Sequence, residues 1–192
     1  MNPMNFKLII SSILMLAFCQ TLSSKELNSI KESDSLEPVV KIEEFKNFFK
    51  SGNYFFGGQP TLESLDWLKS EGVGIVINLR TEDENEDYAN YAYNEENIVK
   101  EKGMEYISLP VSYPDSYNPE TLAQFSEILK KNDGKVFIHC RSCGRVTYFF
   151  MAYLVEYKEY SLNEAIEFGK QMKFSFALED LLGKEIEMTI KE

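Results

Sequence analysis

The stretch His139-Cys140-Arg141-Ser142-Cys143-Gly144-Arg145-Val146-Thr147 follows the apolar run Val136 to Ile138 and precedes Tyr148 to Ala152. A cysteine between a buried strand and a helix start meets unpaired backbone N–H groups and the positive end of the helix dipole. Both favour thiolate over thiol. Arg141 and Arg145 add charge, and a guanidinium holds two oxygens of a phosphate or sulfate at once. A cysteine near a strand end is otherwise a small buried hydrophobe; the coincidence of strand, glycine, arginines and apolar helix argues instead for a tetrahedral anion held before a nucleophilic sulfur. Cys140 and Cys143 also form a Cys-x-x-Cys pair, the arrangement of thiol–disulfide oxidoreductases, whose oxidation would disable the nucleophile until it is reduced. They lie too close together to staple a domain. His139 is the only histidine of the chain, so a four-ligand zinc site, or a cysteine–histidine pair drawn from distant segments, lacks material.

The elements that must position this loop are legible from period and punctuation. Ile42, Phe45, Phe48 and Phe49 are spaced as one helical face, and Asn53 to Phe56 reads as a short strand ended by Gly57-Gly58. Thr61 caps a predicted helix through Ser70, with Leu62, Leu65 and Leu68 on one side and Gly72 as its stop. Val73 to Leu79 is a β-branched run suited to a strand buried on both faces, and it ends at Arg80 in a polar loop, Arg80 to Asp87. A helix is expected over Asp87 to Lys102, a strand over Met104 to Leu109, and a helix from Asn118-Pro119 to Lys131. Asp133-Gly134 turns the chain into the strand Lys135 to Ile138. The helix after the cysteine loop runs to Tyr157, Ser161 with Glu164 makes a capping box for another, and Leu178 to Lys191 reads as helical with a weak point at Gly183.

Strands alternating with helices predict an α/β domain with a mostly parallel sheet of four or five strands covered on both faces. Sites in such sheets form beyond the carboxyl ends of the strands. Arg80, Pro110 to Asp115, and Cys140 to Arg145 all fall there. The cluster Tyr88, Tyr91, Tyr93 is expected as the packing side and rim of one helix.

The 192 residues, 44% of them hydrophobic, suffice for one ordinary core. Met1 to Ser24 has the three-part layout of a secretory signal, with Lys7, the apolar run Leu8 to Phe18, and small polar residues after it. The run is too short to span a bilayer comfortably. Export to the periplasm or medium is expected, with no stable membrane span after cleavage. Lipid attachment at Cys19 is the minor alternative, because bulky Phe18 stands where processing wants a small residue. Residues 25–38 read as a serine- and acid-rich tether and 39–192 as the folded domain. The formal net charge is -11, and loss of the signal removes one lysine and no acid. Such a surface repels nucleic acid.

The segments Tyr54 to Arg80 (YFFGGQPTLESLDWLKSEGVGIVINLR), Tyr106 to Val111 (YISLPV) and Phe137 to Val146 (FIHCRSCGRV) together resemble the β-lactamase-hydrolase-like, phosphatase-like domain family, a bacterial branch of the cysteine-dependent protein tyrosine and dual-specificity phosphatases. The similarity covers about Tyr54 to Ala152, and the GGQPT and VINLR segments are its most specific part. The resemblance implies a protein tyrosine phosphatase-like fold, no metal or other cofactor, and a phosphorylated protein or small phosphomonoester as substrate. Carried over, Cys140 is the nucleophile and Arg145 the phosphate clamp. The backbone N–H groups of Arg141, Ser142, Cys143, Gly144 and Arg145 would form the cradle, with His139 orienting the loop. Asp115, in Ser112-Tyr113-Pro114-Asp115-Ser116, would protonate the leaving oxygen, although a plain turn residue fits it equally. Arg80 would face the same cleft or pair with Glu82 or Asp83.

The chain departs from the tyrosine phosphatase pattern in the loop itself. Four residues separate Cys140 from Arg145 where five are usual; Val146 stands at the usual arginine position, and Cys143 stands where glycine is usual. Thr147 no longer follows the arginine directly. The shorter spacing resembles rhodanese-type sulfurtransferases, in which Cys140 would carry a persulfide. A non-catalytic module that binds phosphate or sulfate is the remaining alternative.

Overall fold

The β-branched run Val73 to Asn78 becomes an inner strand, flanked by neighbours on both sides, as a stretch apolar on both faces requires. The computed structural model describes residues 36–86, 93–173 and 182–183. Their strands are β1 (Val40–Ile42), β2 (Phe48–Ser51), β3 (Tyr54–Gly57), β4 (Val73–Asn78), β5 (Glu105–Ser108) and β6 (Lys135–His139). They form one six-stranded sheet in the order β1-β2-β3-β6-β4-β5. The last four in that order are parallel, and β1 and β2 extend the sheet antiparallel.

The helices are α1 (Leu62–Ser70), α2 (Glu82–Glu86), α3 (Glu95–Glu101), α4 (Pro119–Lys130), α5 (Gly144–Tyr157) and α6 (Leu162–Lys170). The strand period divides the core between the two sheet faces. Phe48, Phe55, Val76 and Phe137 pack on one side with Leu65 and Leu68 of α1 and Val99 of α3. Their neighbours Phe49, Phe56, Ile77 and Ile138 pack on the other with α4, α5 and α6. Helix α5 is the centre of that second layer, buried without a break from Val146 to Leu154. The cap residues read from the sequence act as expected: Thr61 and Ser161 form capping boxes, and Asn118 accepts from Thr121 N ahead of Pro119.

Two expectations are corrected. Ile42, Phe45, Phe48 and Phe49 belong to a hairpin of β1 and β2, not to a helix. Phe48 and Phe49 are adjacent and both buried, but on opposite faces, which a strand allows and a helix face does not. The helix expected from Asp87 begins only at Glu95, where the Asn94 side chain accepts from Asn97 N and sets the start. Ahead of β1, Leu36 packs on the core, and the Glu37 carbonyl accepts from Ser51 Oγ at 2.5 Å. The expected signal, most of the tether, Tyr88, Tyr91 and nearly all of the expected C-terminal helix lie outside the described residues.

The parallel strands end in one register row. Gly57, His139, Asn78 and Ser108 are successive partners across β3, β6, β4 and β5. Gly57 allows this row to close, since a Cβ there would lie 2.6 Å from the buried Phe137 ring. Gly57→Ala is therefore expected to destabilise the domain by about 1–3 kcal/mol through overpacking. Urea unfolding followed by circular dichroism measures this, and an unchanged midpoint would contradict the packing account.

Candidate active site

Beyond the register row the chain leaves β6 as Cys140-Arg141-Ser142-Cys143 and enters α5. Cys140 N donates to Gly57 O at 3.3 Å, and Gln59 N donates to Arg141 O at 3.2 Å. Gly58 pairs with Ser142 in a short bridge, and a Cβ on Gly58 would lie 3.2 Å from Arg141 O. The two glycines of the GGQPT segment thus let β3 and the cysteine loop lie against each other. Alternation along β6 turns Cys140 to the α5 side with Ile138, and His139 to the opposite side with Phe137.

Cys140 is 1% exposed and Cys143 is fully buried, both as free thiols. Cys143 is the N-cap of α5 in the left-handed region, φ 72°, where a side chain costs about 1–3 kcal/mol. It gives no side-chain cap bond. The first-turn amides of α5, on Gly144, Arg145 and Val146, therefore have no intrahelical acceptor and no cap. Burial pushes the Cys143 thiol pKa up, and Cys140 beside it pushes in the same direction. Thr147 Oγ1 donates to Cys143 O at 2.9 Å, so its hydroxyl serves the helix start.

Arg145 reaches from the first turn of α5 across the strand ends. Its Nη1 donates to Leu79 O at 3.0 Å and to Val111 O at 2.9 Å, and its Nη2 to Glu84 Oε1 at 2.7 Å. Three of the five guanidinium hydrogens are thereby aimed at protein oxygens. Burial alone would lower the Arg145 pKa, but Glu84 and Cys140 outweigh it and the net shift is upward. Burial likewise raises Glu84, yet the bonds from Arg145 and Thr81 prevail and its carboxyl is lowered.

Glu84 was hidden in what the sequence suggested was a polar loop. Its signal was Thr81-x-x-Glu84: Thr81 N donates to Glu84 Oε2 at 2.9 Å and Glu84 N to Thr81 Oγ1 at 3.3 Å, a capping box at the start of α2. Arg80 is 3% exposed, and its Nη2 donates to the Glu84 carbonyl rather than pairing with Glu82 or Asp83, which are exposed. With Gln59, Tyr93, Glu95 and Tyr106, Arg80 lines a cavity of about 130 Å³. Cys140 is not among the residues lining it. Tyr106 beside this cavity has its hydroxyl pKa pushed up to about 12, mainly by burial.

His139 is fully buried, stacked 5.3 Å from the Phe137 ring at an interplanar angle of 7°. Its Nε2 lies 2.6 Å from Glu95 Oε1, a close facing contact that does not meet hydrogen-bond geometry. Gln59 Nε2 donates to Glu95 Oε2 at 2.6 Å. Glu95 is a second residue that sequence reasoning missed, being one more acid in an acidic segment. Arg141 and Ser142 are exposed at the crest of the loop.

Asp115 is exposed on the turn after β5, and its carbonyl accepts from Asn118 Nδ2 at 2.8 Å, the behaviour of a turn residue. Its neighbours Ser112 and Ser116 line a second cavity of about 360 Å³ with Thr81, Glu82, Asp83 and Pro110. Tyr117, two residues on, is buried edge-on to Tyr113 at 5.3 Å. Burial raises the Tyr117 pKa against the pull of Arg145. Among the described residues no cluster of three His, Cys, Asp or Glu side chains forms a metal site, and no helix is long and apolar enough to cross a membrane.

The family model described as DSP-PTPase phosphatase fused to NAD+ kinase matches residues 25–174. The chain belongs to this phosphatase family. The probable NAD kinase 2, chloroplastic, of Oryza sativa subsp. japonica is 30% identical over 87 residues, which are 45% of this chain and 9% of that protein. The chain therefore spans less than a tenth of that relative.

Among solved structures, PTPMT1 aligns with a TM-score of 0.56 and 23% identity over 68% of this chain and 87% of that one. Tk-PTP in its active form aligns at 0.56 and 19% over 70% and 94%. P. aeruginosa TpbA in complex with pTyr aligns at 0.55 and 16% over 71% and 77%. At these identities the likeness speaks for the fold, and the expected protein tyrosine phosphatase-like architecture is borne out.

The two lowered carboxyls make the domain acid-sensitive in a defined direction. A carboxyl whose folded pKa is depressed contributes stability that is full above its unfolded value, 4.5 for Glu84 and Glu95, and that is lost as pH falls through the folded value. The melting-temperature gap between wild type and Glu84→Gln should be widest near neutral pH, begin to close as pH falls below 4.5, and vanish once pH passes below the folded value. A gap independent of pH would show that the Glu84 charge contributes nothing.

Proposed function

We propose that this member of the family hydrolyses a phosphomonoester through a cysteinyl-phosphate on Cys140. The observation that carries the reading is the uncapped start of α5, placed directly after Cys140 and crossed by Arg145. Three first-turn amides and a helix dipole make a site for a tetrahedral anion. The Nε hydrogen and one Nη2 hydrogen of Arg145 have no partner among the described residues, leaving a fork for two phosphate oxygens.

In the first step the Cys140 sulfur attacks phosphorus, the S–P bond forms, and the P–O bond to the leaving group breaks. Asp115 gives that oxygen its proton. Water then attacks the cysteinyl-phosphate, releasing inorganic phosphate and returning the thiolate. Arg145 and the amides stabilise the equatorial charge in both steps. The phosphotyrosine bound to TpbA supports an aryl phosphate, of phosphotyrosine or dual-specificity type, as the substrate class. The signal-like pattern of Met1 to Ser24 supports an exported, periplasmic or secreted enzyme.

Intact mass spectrometry of the reduced protein lacking residues 1–24, quenched in acid after brief incubation with an aryl phosphate, tests the intermediate. An adduct of about 80 Da, absent in Cys140→Ser, is expected for a phosphorylated nucleophile. The four-residue spacing from Cys140 to Arg145 favours one rival, a persulfide formed from thiosulfate, which would add about 32 Da instead. A mass about 2 Da light before reduction would mark a Cys140–Cys143 disulfide as the chemistry that matters.

Arg145→Lys should lower kcat/KM by about 10²–10³-fold, since an ammonium cannot bridge two carbonyls, Glu84 and a phosphate. Asp115→Asn should slow only poor leaving groups. If it slows none, another group is the acid.

A further inference from the structure

The reaction proposed above uses the α5 side of β6 and leaves unexplained a costly arrangement on the other side. There a fully buried imidazole and a carboxylate 8% exposed face each other at 2.6 Å. Taking two such groups out of water is expensive, and well-packed apolar residues usually do as well or better for stability alone. The carboxylate is further held by Gln59, which comes from the GGQPT segment, and Arg80, from VINLR, acts on it electrostatically. The two segments that mark the family resemblance, which brace the cysteine loop through Gly57, Gly58 and Leu79, therefore also send Gln59 and Arg80 to Glu95.

We propose that Glu95 is a positioning residue for Cys140, acting through His139. This rests on Cys140 being the nucleophile. His139 is the last residue of β6, and its carbonyl accepts from Leu79 N at 2.8 Å, while the next amide, that of Cys140, donates to Gly57 O. A turn of the His139 backbone therefore displaces both neighbouring strand ends and the cysteine together. The ring cannot take up such a turn. Phe137 covers one face of the imidazole, and Glu95, at the first turn of α3, stops its Nε2 edge.

Burial alone would raise the Glu95 carboxyl pKa; the facing His139, Gln59 and Arg80 reverse this, and the net shift is downward, as for a carboxylate that stays charged in place. A neutral side chain at 95 removes the charge that fixes the Nε2 edge and frees the imidazole to turn. Loosening of the residue next to a nucleophile lowers the fraction of molecules in the reactive geometry without touching the anion cradle.

The test uses Glu95→Gln, with Glu95→Asp as the conservative rescue and three readouts. With a saturating aryl phosphate, kcat should fall about tenfold while KM stays within about twofold, because positioning rather than binding is lost. Alkylation of Cys140 by iodoacetamide, followed by mass analysis of the tryptic peptide that ends at Arg141 and so separates Cys140 from Cys143, should slow by a similar factor. His139 is the only histidine, so its imidazole signals in the NMR spectrum are unambiguous; they should shift and broaden in Glu95→Gln and return toward wild type in Glu95→Asp.

Should Glu95→Gln not fold, Gln59→Ala removes only the donor to Glu95 Oε2 and should produce a smaller change of the same sign. Unchanged kcat and alkylation in the folded variant would overturn the proposal, as would losses that vanish once rates are corrected for the folded fraction. Absence of turnover in the wild type would sink the phosphatase step alone, since alkylation and the imidazole signals still decide whether Glu95 positions Cys140.

Discussion

Four parallel strands that stop in one row, Gly57, His139, Asn78 and Ser108, oblige the chain to leave the sheet four times along a single edge. Each exit carries a piece of the candidate site: Gly58 and Gln59 after β3, Arg80 and Glu84 after β4, the turn holding Asp115 after β5, and the cysteine loop after β6. The alignment depends on close backbone approach at Gly57 and Gly58, where any side chain would strike Phe137 or the loop. The chemistry of this edge follows from parallel pairing, because helices that return over the sheet faces leave all four carboxyl ends together.

The two sheet faces divide the labour around β6. On one, α5 presents uncapped amides and Arg145 braces three separate segments through Leu79, Val111 and Glu84. On the other, His139, Glu95 and Gln59 form a buried polar chain on the back of the same strand. Because successive residues of a strand point opposite ways, a histidine followed directly by a cysteine reaches both layers at once. The fold on which this arrangement sits is the one shared with PTPMT1 and TpbA.

Much of this was legible because local signals and tertiary structure agree. Thr61, Asn118-Pro119 and Ser161 with Glu164 start helices by the same bonds that their spacing suggests. Val73 to Asn78 and Lys135 to His139 are too apolar for anything but inner strands. The β1–β2 hairpin was misread because phenylalanines at 45, 48 and 49 satisfy a helical period as well as two opposite strand faces, and only the partner strand decides. The roles of Glu84 and Glu95 were out of reach for another reason. Each is one acid among many in an acidic stretch, and what singles it out is a nitrogen partner brought close by the fold, the Arg145 guanidinium in one case and the His139 ring in the other.

The place of β6 between β3 and β4 carries a consequence for the order of assembly. Residues 54–57 and 73–78 are near in sequence but do not pair with each other; each waits for residues 135–139 to come between them. Such non-local closure is slow relative to helix formation. A growing chain that has not yet extended past Lys135 has no centre to its sheet, and Cys140 reaches its buried position only when that centre forms. Until then its thiol sits in unfolded chain, without the α5 amides or Arg145 beside it, so the reactive environment and the finished fold arrive together.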